Sequence, residues 1–483
     1  MRLSISSSTA SVGNVEIHET FRVIELDAGN SLETAKSAGL NGRSVSIPFS
    51  QNVLHDIETQ LAIVVPCKDE DVSILDGVLH GIPRDCLIIL VSNSTQENYA
   101  VECTLLTEFC ADAHRSGIVA HQHDAGIAQA FFNAGMPYLV REVKHGLQVR
   151  NGKGEAMMIG TALAKIAGKQ FIGFIDADNL VAGAVHEYCK VYAAGLHYAL
   201  NCARDGTSTA VSAPHPMVRI KWNSKPKVKD GVIVFEKSGR CSRVVNEWMN
   251  RLLATLIEGD ADQDMIQTGN AGEHAMSVEL ALELQFANGY AVEPFQYVDA
   301  WERSVVQMHK DEELRRFGES YNSALEVDEA TYFGNYSGSN ESSAFSSTCS
   351  SDASSPATSP SLKSMSATAL GQVDPRREVQ IIQVETRSPH FHDTSKGGDH
   401  IAAMQVGGLS TIYHSCLTPQ KLKDELREYI KEHLSEVKGV AEDGTPAAPR
   451  CYPAMSTMDF DEFRVTLEAR QETLKVFGCG GKW

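Results

Sequence analysis

Three short apolar runs, each ending in a polar cluster, set the strongest limit on how this chain can fold. Leu61–Val65 ends at Pro66 and is followed by Cys67–Glu70; Leu87–Val91 is followed by Ser92–Ser94, and Phe171–Ile175 by Asp176–Asn179. Uninterrupted runs of this length, rich in branched residues, read as strands buried on both faces. Between them apolar residues recur at helical spacing: Val72, Leu75, Leu79 and Ile82, then Val101, Leu105 and Phe109, then Ile159, Leu163 and Ile166. Strands alternating with helices predict an α/β domain whose central sheet is mainly parallel and flanked by helices. Ligands of such sheets bind beyond the C-terminal strand ends, where all three polar clusters stand.

Charge narrows what the domain can bind. The formal net charge is −19, and a nucleic-acid backbone is gripped by Lys and Arg, so nucleic acid is not an expected partner. Yet between Arg219 and Arg243 there are eight Lys or Arg and only two acids. That is the pattern of a pocket for a small anion, or of a solvated basic loop. No apolar run approaches the roughly 18 residues of a membrane span, and the N-terminus has no apolar core of signal-peptide length. The eleven cysteines are scattered and form no Cys-x-x-Cys pair. Reduced thiols, a cytoplasmic location and no membrane partner are the expectation.

The chain divides by composition. The expected order is an N-terminal segment (1–55), a catalytic domain (56–336), a Ser-rich insert (337–371), a segment completing the catalytic site (372–418) and a C-terminal extension (419–483). The insert has little to bury and is expected to be disordered. Periodic apolar sequence resumes at Val379–Val384, and the extension carries a helix over Lys421–Leu434.

Asp176-Ala-Asp178 is the sharpest chemical feature. Two carboxylates one residue apart at a strand end can reach one hard cation, which can neutralise a diphosphate as it departs. The plainer alternatives are a turn with two solvated acids, or Asp178 capping the next helix. Arg150–Glu155 precedes a helix with two glycines around Lys153, allowing close backbone approach to phosphates. In Gly269–His274, Glu273 could accept hydrogen bonds from sugar hydroxyls, or the segment could simply start a helix. His390-x-His392 and His121-x-His123 have a spacing that can offer two imidazoles to a metal, though most such pairs bind nothing.

These segments in their order resemble the mannosyl-3-phosphoglycerate synthases, a family of retaining glycosyltransferases with a GT-A fold. The resemblance runs through VVPCKDE (64–70), IILVSNS (88–94), RNGKGEAM (150–157), GFIDADN (173–179) and VRIKWNSKPKV (218–228). It continues through SGR (238–240), TGNAGEHAM (268–276) and ETRSPHFH (385–392), and covers roughly residues 15–335 and 372–416. It implies a GT-A-like nucleotide-sugar-binding fold with a C-terminal extension. It also implies mannose transfer from GDP-mannose to the 2-hydroxyl of 3-phosphoglycerate with retention of configuration.

By resemblance, Pro66, Lys68, Glu70, Ser92 and Asn93 hold the guanosine, and Gln148 and Lys153 complete the diphosphate side. Asp176 and Asp178 bind a divalent metal with a histidine of the His390–His392 pair, His390 being favoured. Magnesium is the expected ion, with manganese, cobalt or zinc as alternatives. Glu273 contacts the mannose. Gly239, Arg240 and Ser242 form the acceptor site, with Arg219 a further candidate in the same basic segment. A homodimer is compatible with all of this. Two other readings share part of the pattern. A sugar-phosphate nucleotidyltransferase would carry a Gly-rich signature directly after the first strand, where VVPCKDE has no glycine. A non-catalytic nucleotide-sugar-binding protein would have no need of the metal and acceptor motifs.

Overall fold

The architecture comes from a computed structural model that describes residues 1–26, 44–144, 146–202, 215–229, 232–236, 239–257, 264–308, 379–391, 398–470 and 474–477. The Ser-rich segment 337–371 lies outside the described residues.

The alternating strand–helix pattern becomes a three-layer α/β fold. Leu61–Cys67 pairs in parallel with Leu87–Ser92 on one side and Phe171–Phe174 on the other, and Leu87–Ser92 pairs in parallel with Gly117–His121. The pleat sends alternate residues to opposite faces. Ala62 and Val64 enter the core on one side of the sheet, while Leu61, Ile63 and Val65 enter the core on the other. Both faces are covered by helices, which is why these runs carry no polar residue.

The sheet is larger than its parallel centre and is mixed overall. From one edge its order is Leu474–Phe477, Gly117–His121, Leu87–Ser92, Leu61–Cys67, Phe171–Phe174, His274–Ser277, His215–Lys221, Val379–Glu385, Phe21–Glu25, Arg2–Ser6 and Ser44–Pro48. His274–Ser277 is antiparallel to both of its neighbours. Strands from the first fifty residues and from beyond residue 378 therefore share the sheet of the central segment. Leu474–Phe477, in the C-terminal extension, covers the outer edge of Gly117–His121.

Helices begin and end where local chemistry allows. Asp71 caps Val72–Gly81 by accepting from Ser73 N at 2.8 Å. Leu75, Val78 and Leu79 face inward, whereas Val72 is exposed. The helix expected around Val101, Leu105 and Phe109 is present as Gln96–Asp112, but its buried face carries Glu102, Cys103, Leu106 and Cys110. Glu102 is tolerated inside because it accepts from Ser94 Oγ at 2.6 Å and from Cys67 Sγ at 3.4 Å. The helix expected over Lys421–Leu434 spans Gln420–Leu434 and buries Leu422, Leu426, Ile430 and Leu434 at four-residue intervals. Among the described residues, no helix is long and apolar enough to cross a membrane.

Glu302 joins the helix Val292–Met308 to the end of the helix Gly398–His414. Its Oε1 accepts from Ser415 Oγ at 2.7 Å and from Cys416 N at 3.1 Å. Burial, reinforced by Asp299, pushes its carboxyl up to about 7. A carboxyl whose pKa rises on folding contributes stability at low pH that is lost as pH climbs from the unfolded value, about 4.3, through about 7. Glu302→Gln keeps the acceptor oxygen and has no charge to bury. Thermal melts should show the variant more stable than the parent at pH 8, with the gap closing towards pH 4.5. A gap independent of pH contradicts this account.

Candidate active site

The cleft follows from the strand order. After Leu61–Cys67 the chain builds outward on one side, through Leu87–Ser92 and Gly117–His121, and then returns to place Phe171–Phe174 on the other side. The loops leaving Leu61–Cys67 and Phe171–Phe174 thus diverge at a switch point and open a crevice beyond the strand ends. A cavity of about 620 Å³ occupies it.

The first wall is made by the loops after the first two strands, pinned to one another. Asn93 N donates to Cys67 O at 2.7 Å, and Asp69 N donates to Ser94 Oγ at 2.7 Å. Asp69 takes a left-handed conformation (φ 53°), and its Oδ1 accepts from Thr95 N and Asn98 Nδ2. This turn presents Pro66, Lys68, Glu70 and Asn93 to the cavity. Ser92 is fully buried behind them, its Oγ accepting from Ser94 N at 3.2 Å.

The floor is ionic. Lys153, at the start of the helix Lys153–Ile166, sends Nζ to Asp176 Oδ1 at 2.5 Å and to Glu293 Oε1 at 2.7 Å. Burial alone would lower its pKa, yet the two carboxylates hold it well above the ordinary lysine value. Gly272 packs directly on this pair. A Cβ there would lie 2.3 Å from Asp176 Oδ2 and 2.9 Å from Lys153 Nζ, so any side chain would push the carboxylate and the ammonium away. Asp176 and Asp178 both face the cavity.

His390 arrives from the other end of the sequence. Glu187, buried on the helix Ala182–Cys202, accepts from Arg387 N and Ser388 N at 2.7 and 2.8 Å. His390 N donates to Ser224 O, and Leu180 N donates to Phe391 O. These bonds lace the 387–391 segment between the loops at 180 and 224. The imidazole stacks on Trp222 with centroids 4.5 Å apart, and Nδ1 lies 3.6 Å from Glu273 Oε1.

Glu273 is fully buried immediately behind the cavity, and neither of its oxygens has a hydrogen-bond partner among the described residues. Burial and the charge of Asp176 push its carboxyl up to about 8, against the pull of Lys153 and Lys225. Gly269–His274 does not start a helix: His274 opens the strand His274–Ser277 and is buried against Phe174. Burial and Arg219 hold its imidazole well below its ordinary pKa, so it is neutral. His121 and His123 do not form a metal pair; His121 Nε2 contacts Ser94 O, and its Nδ1 accepts from His123 N.

Pro66, Lys68, Glu70, Asn93, Lys153, Asp176, Asp178, Gly239, Ser242 and His390 therefore line one cavity. Arg219 does not, which corrects its assignment to an acceptor site. It is fully buried, and its guanidinium donates to Thr268 O, Gln296 Oε1, Ala271 O and Glu293 O, with its carbon 4.6 Å from the Tyr297 ring centroid. It braces the loop that carries Glu273. Gln148 stands on a separate two-stranded hairpin, its Oε1 near Arg141 Nη2, and does not line the cavity. Arg240 is the first residue of the helix Arg240–Leu256, but its side chain, like the whole of His392, lies outside the described residues.

Several wall residues had no individual signal in the sequence. Lys225 Nζ lies 3.6 Å from the Trp222 ring centroid; burial lowers its pKa while Glu273, Asp176 and Asp178 raise it. Glu293 comes from a helix far along the chain, and Tyr290 and His400 pack edge to face at 4.9 Å on the rim. Trp222 and Lys225 sit inside a segment already singled out for its basic charge. Glu293 had no local pattern to reveal it.

In donor type the set suits a divalent cation, although its ligand atoms do not all lie within 4.8 Å of one another. Asp176 and Asp178 supply hard oxygens and His390 an imidazole. Glu273 adds a further carboxylate with unsatisfied oxygens, and Lys153 and Lys225 are the nearby cations. A cation here would offset the burial and the Asp176 charge that now raise Glu273.

The sequence matches the family described as Mannosyl-3-phosphoglycerate synthase over residues 5–467. It is 31% identical over 470 residues to the mannosyl-3-phosphoglycerate synthase of Pyrococcus furiosus, covering 96% of this chain and 97% of that protein. The Aeropyrum pernix protein of the same name is 28% identical over 460 residues, covering 95% of each. Among solved structures, glucosyl-3-phosphoglycerate synthase from Mycobacterium tuberculosis, in complex with Mn2+, UDP-glucose and phosphoglyceric acid, superimposes with a TM-score of 0.43. The two are 16% identical, with 85% of this chain and 95% of that chain covered. A family match running from residue 5 to residue 467 takes in every segment that walls the cleft, and this chain belongs to the mannosyl-3-phosphoglycerate synthase family.

Proposed function

We propose that this glycosyltransferase moves mannose from GDP-mannose to the 2-hydroxyl of 3-phosphoglycerate, with retention at the anomeric carbon. The observation that carries this reading is the convergence, in one cavity, of residues from segments as far apart as Pro66 and His390. Each has the chemistry its part of the reaction needs.

The nucleoside end is assigned to Pro66, Lys68, Glu70 and Asn93, with Ser92 supporting the loop from behind. Lys153, at the positive end of the helix it begins, suits the diphosphate. Asp176, Asp178 and His390 would hold the divalent cation, with magnesium our first choice. When bound, that ion neutralises the diphosphate and stabilises GDP as it leaves. Glu273 is assigned to the mannose, because its two buried oxygens have no hydrogen-bond partner among the described residues and can engage sugar hydroxyls. The acceptor belongs beside Gly239, Arg240 and Ser242. There the donor cavity adjoins a second recess of about 910 Å³, bordered by Trp222, Arg243 and Asn270. Attack from the face that GDP leaves, with a GDP oxygen taking the acceptor's proton, gives retention without a covalent enzyme intermediate. A cytoplasmic location belongs to the same reading.

The direct test is incubation of the pure protein with GDP-mannose and 3-phosphoglycerate, with magnesium and then with a chelator. Mannosyl-3-phosphoglycerate should form only with the metal. Its absence under both conditions rejects the reading.

Two substitutions separate the parts. Asp178→Ala should lower turnover by about two orders of magnitude or more, since metal-assisted charge stabilisation is worth several kcal/mol. A near-parental rate in a folded variant removes Asp178 from the metal site. Arg240→Ala should raise the KM for 3-phosphoglycerate by roughly ten- to a hundredfold, the cost of leaving a substrate anion underpaired. Calorimetry with GDP-mannose should meanwhile give an unchanged donor affinity. The reverse outcome moves Arg240 to the diphosphate.

A further inference from the structure

At the opposite ends of the parallel strands, away from the cleft, a second group of ligating side chains comes together. Ser50 caps the helix Gln51–Glu58, which places His55 and Glu58 three residues apart and so on one face. Asp85 lies in the turn leading into Leu87–Ser92, and its Oδ2 is 3.1 Å from His55 Nδ1. One donor atom from each of His55, Glu58 and Asp85 lies within 4.8 Å of the other two. Among the described residues this is the one trio of its kind.

The trio borders a recess of about 440 Å³, and His186, from the helix Ala182–Cys202, stands on the same wall. His55 and Asp85 are solvent-exposed, but Glu58 is only 3% exposed. A carboxylate that deep needs compensation. Lys190 Nζ supplies part of it, 2.5 Å from Oε1. Arg84, also at the recess, is exposed and therefore screened. Burial and Lys190 keep His186 below its ordinary pKa, in the neutral form that can offer a lone pair.

We propose that His55, Glu58 and Asp85, with His186 beside them, form a second divalent-cation site, of the zinc class, that staples the helix Gln51–Glu58 to the turn before Leu87. One or two imidazoles with two carboxylates suit a borderline ion such as Zn2+, which takes four mixed nitrogen and oxygen ligands. Mg2+ prefers an octahedron of oxygens and is not expected to bind there tightly. The site is structural. It stands at the far end of the strands from Asp176 and takes no part in transfer.

The test uses the full chain carrying Asp176→Ala and Asp178→Ala, so that the cleft carboxylates contribute nothing. After treatment with a chelator and its removal, calorimetric titration with ZnCl2 should give one ion per chain. Zinc at about a hundred times its Kd should raise the melting temperature by roughly 3 °C. Adding His55→Ala and Asp85→Asn should abolish both effects. Since both residues are exposed, the melting temperature without zinc should hardly change, which separates loss of the ion from loss of the fold. The same titration with MgCl2 should show no comparable binding. Failure of the Asp176→Ala, Asp178→Ala chain to bind zinc, or unchanged zinc binding after His55→Ala and Asp85→Asn, overturns the proposal.

Discussion

The cleft depends on one buried cation. Lys153 Nζ sits between Asp176 and Glu293 at 2.5 and 2.7 Å, and through it three distant parts of the chain are held together. These are the helix beginning at Lys153, the end of the Phe171–Phe174 strand and the helix Val292–Met308. Without that charge, Asp176, Asp178, Glu273 and Glu293 would face one another with, among the described residues, chiefly Lys225 and the buried Arg219 to offset them. Leaving carboxylates uncompensated in a partly buried site is costly enough to spread the walls or force protonation. Gly272 is part of the same constraint, because only a residue without Cβ lets its loop close over the pair.

Around that cation the protein places groups of opposite tendency side by side. Lys153 is held charged, His274 is held neutral, and Glu273 is drawn towards protonation by burial. Arg219, Gln296 and Thr268 fix the backbone behind Glu273. Glu187 does the same for the segment that carries His390. The groups that would meet substrate are thus held by buried polar groups that would not, and the latter have as much claim on the geometry.

The parallel centre of the fold and the location of the cleft were legible in the sequence because each is a local property. An uninterrupted apolar run is a doubly covered strand wherever it occurs, and the polar residues just after it must stand at the strand's end. Asp176 and Asp178 were visible for that reason, as were Lys68, Glu70 and Asn93. Helix Gln96–Asp112 shows where local reading stops. Its existence was plain, but its buried face was misread, because Glu102 satisfies its charge with partners at residues 67 and 94.

Local sequence dictates which elements form, where the ligand-facing loops begin, and which family pattern they follow. Partnership is a matter of packing. Arg219 looked like an anion-binding residue within a basic run, yet its place on an inner strand turns its guanidinium towards backbone carbonyls at 268, 271 and 293. Glu293 has no motif at all, yet it shares Lys153 with Asp176. His55 and Asp85 are ordinary surface residues in the sequence and nearest neighbours in space. The physical reason is the same in each case. Chain order sets what a residue can become locally, but the free energy of a buried charge depends on which opposite charge or dipole packing brings within a few ångströms, and those partners lie tens to hundreds of residues away.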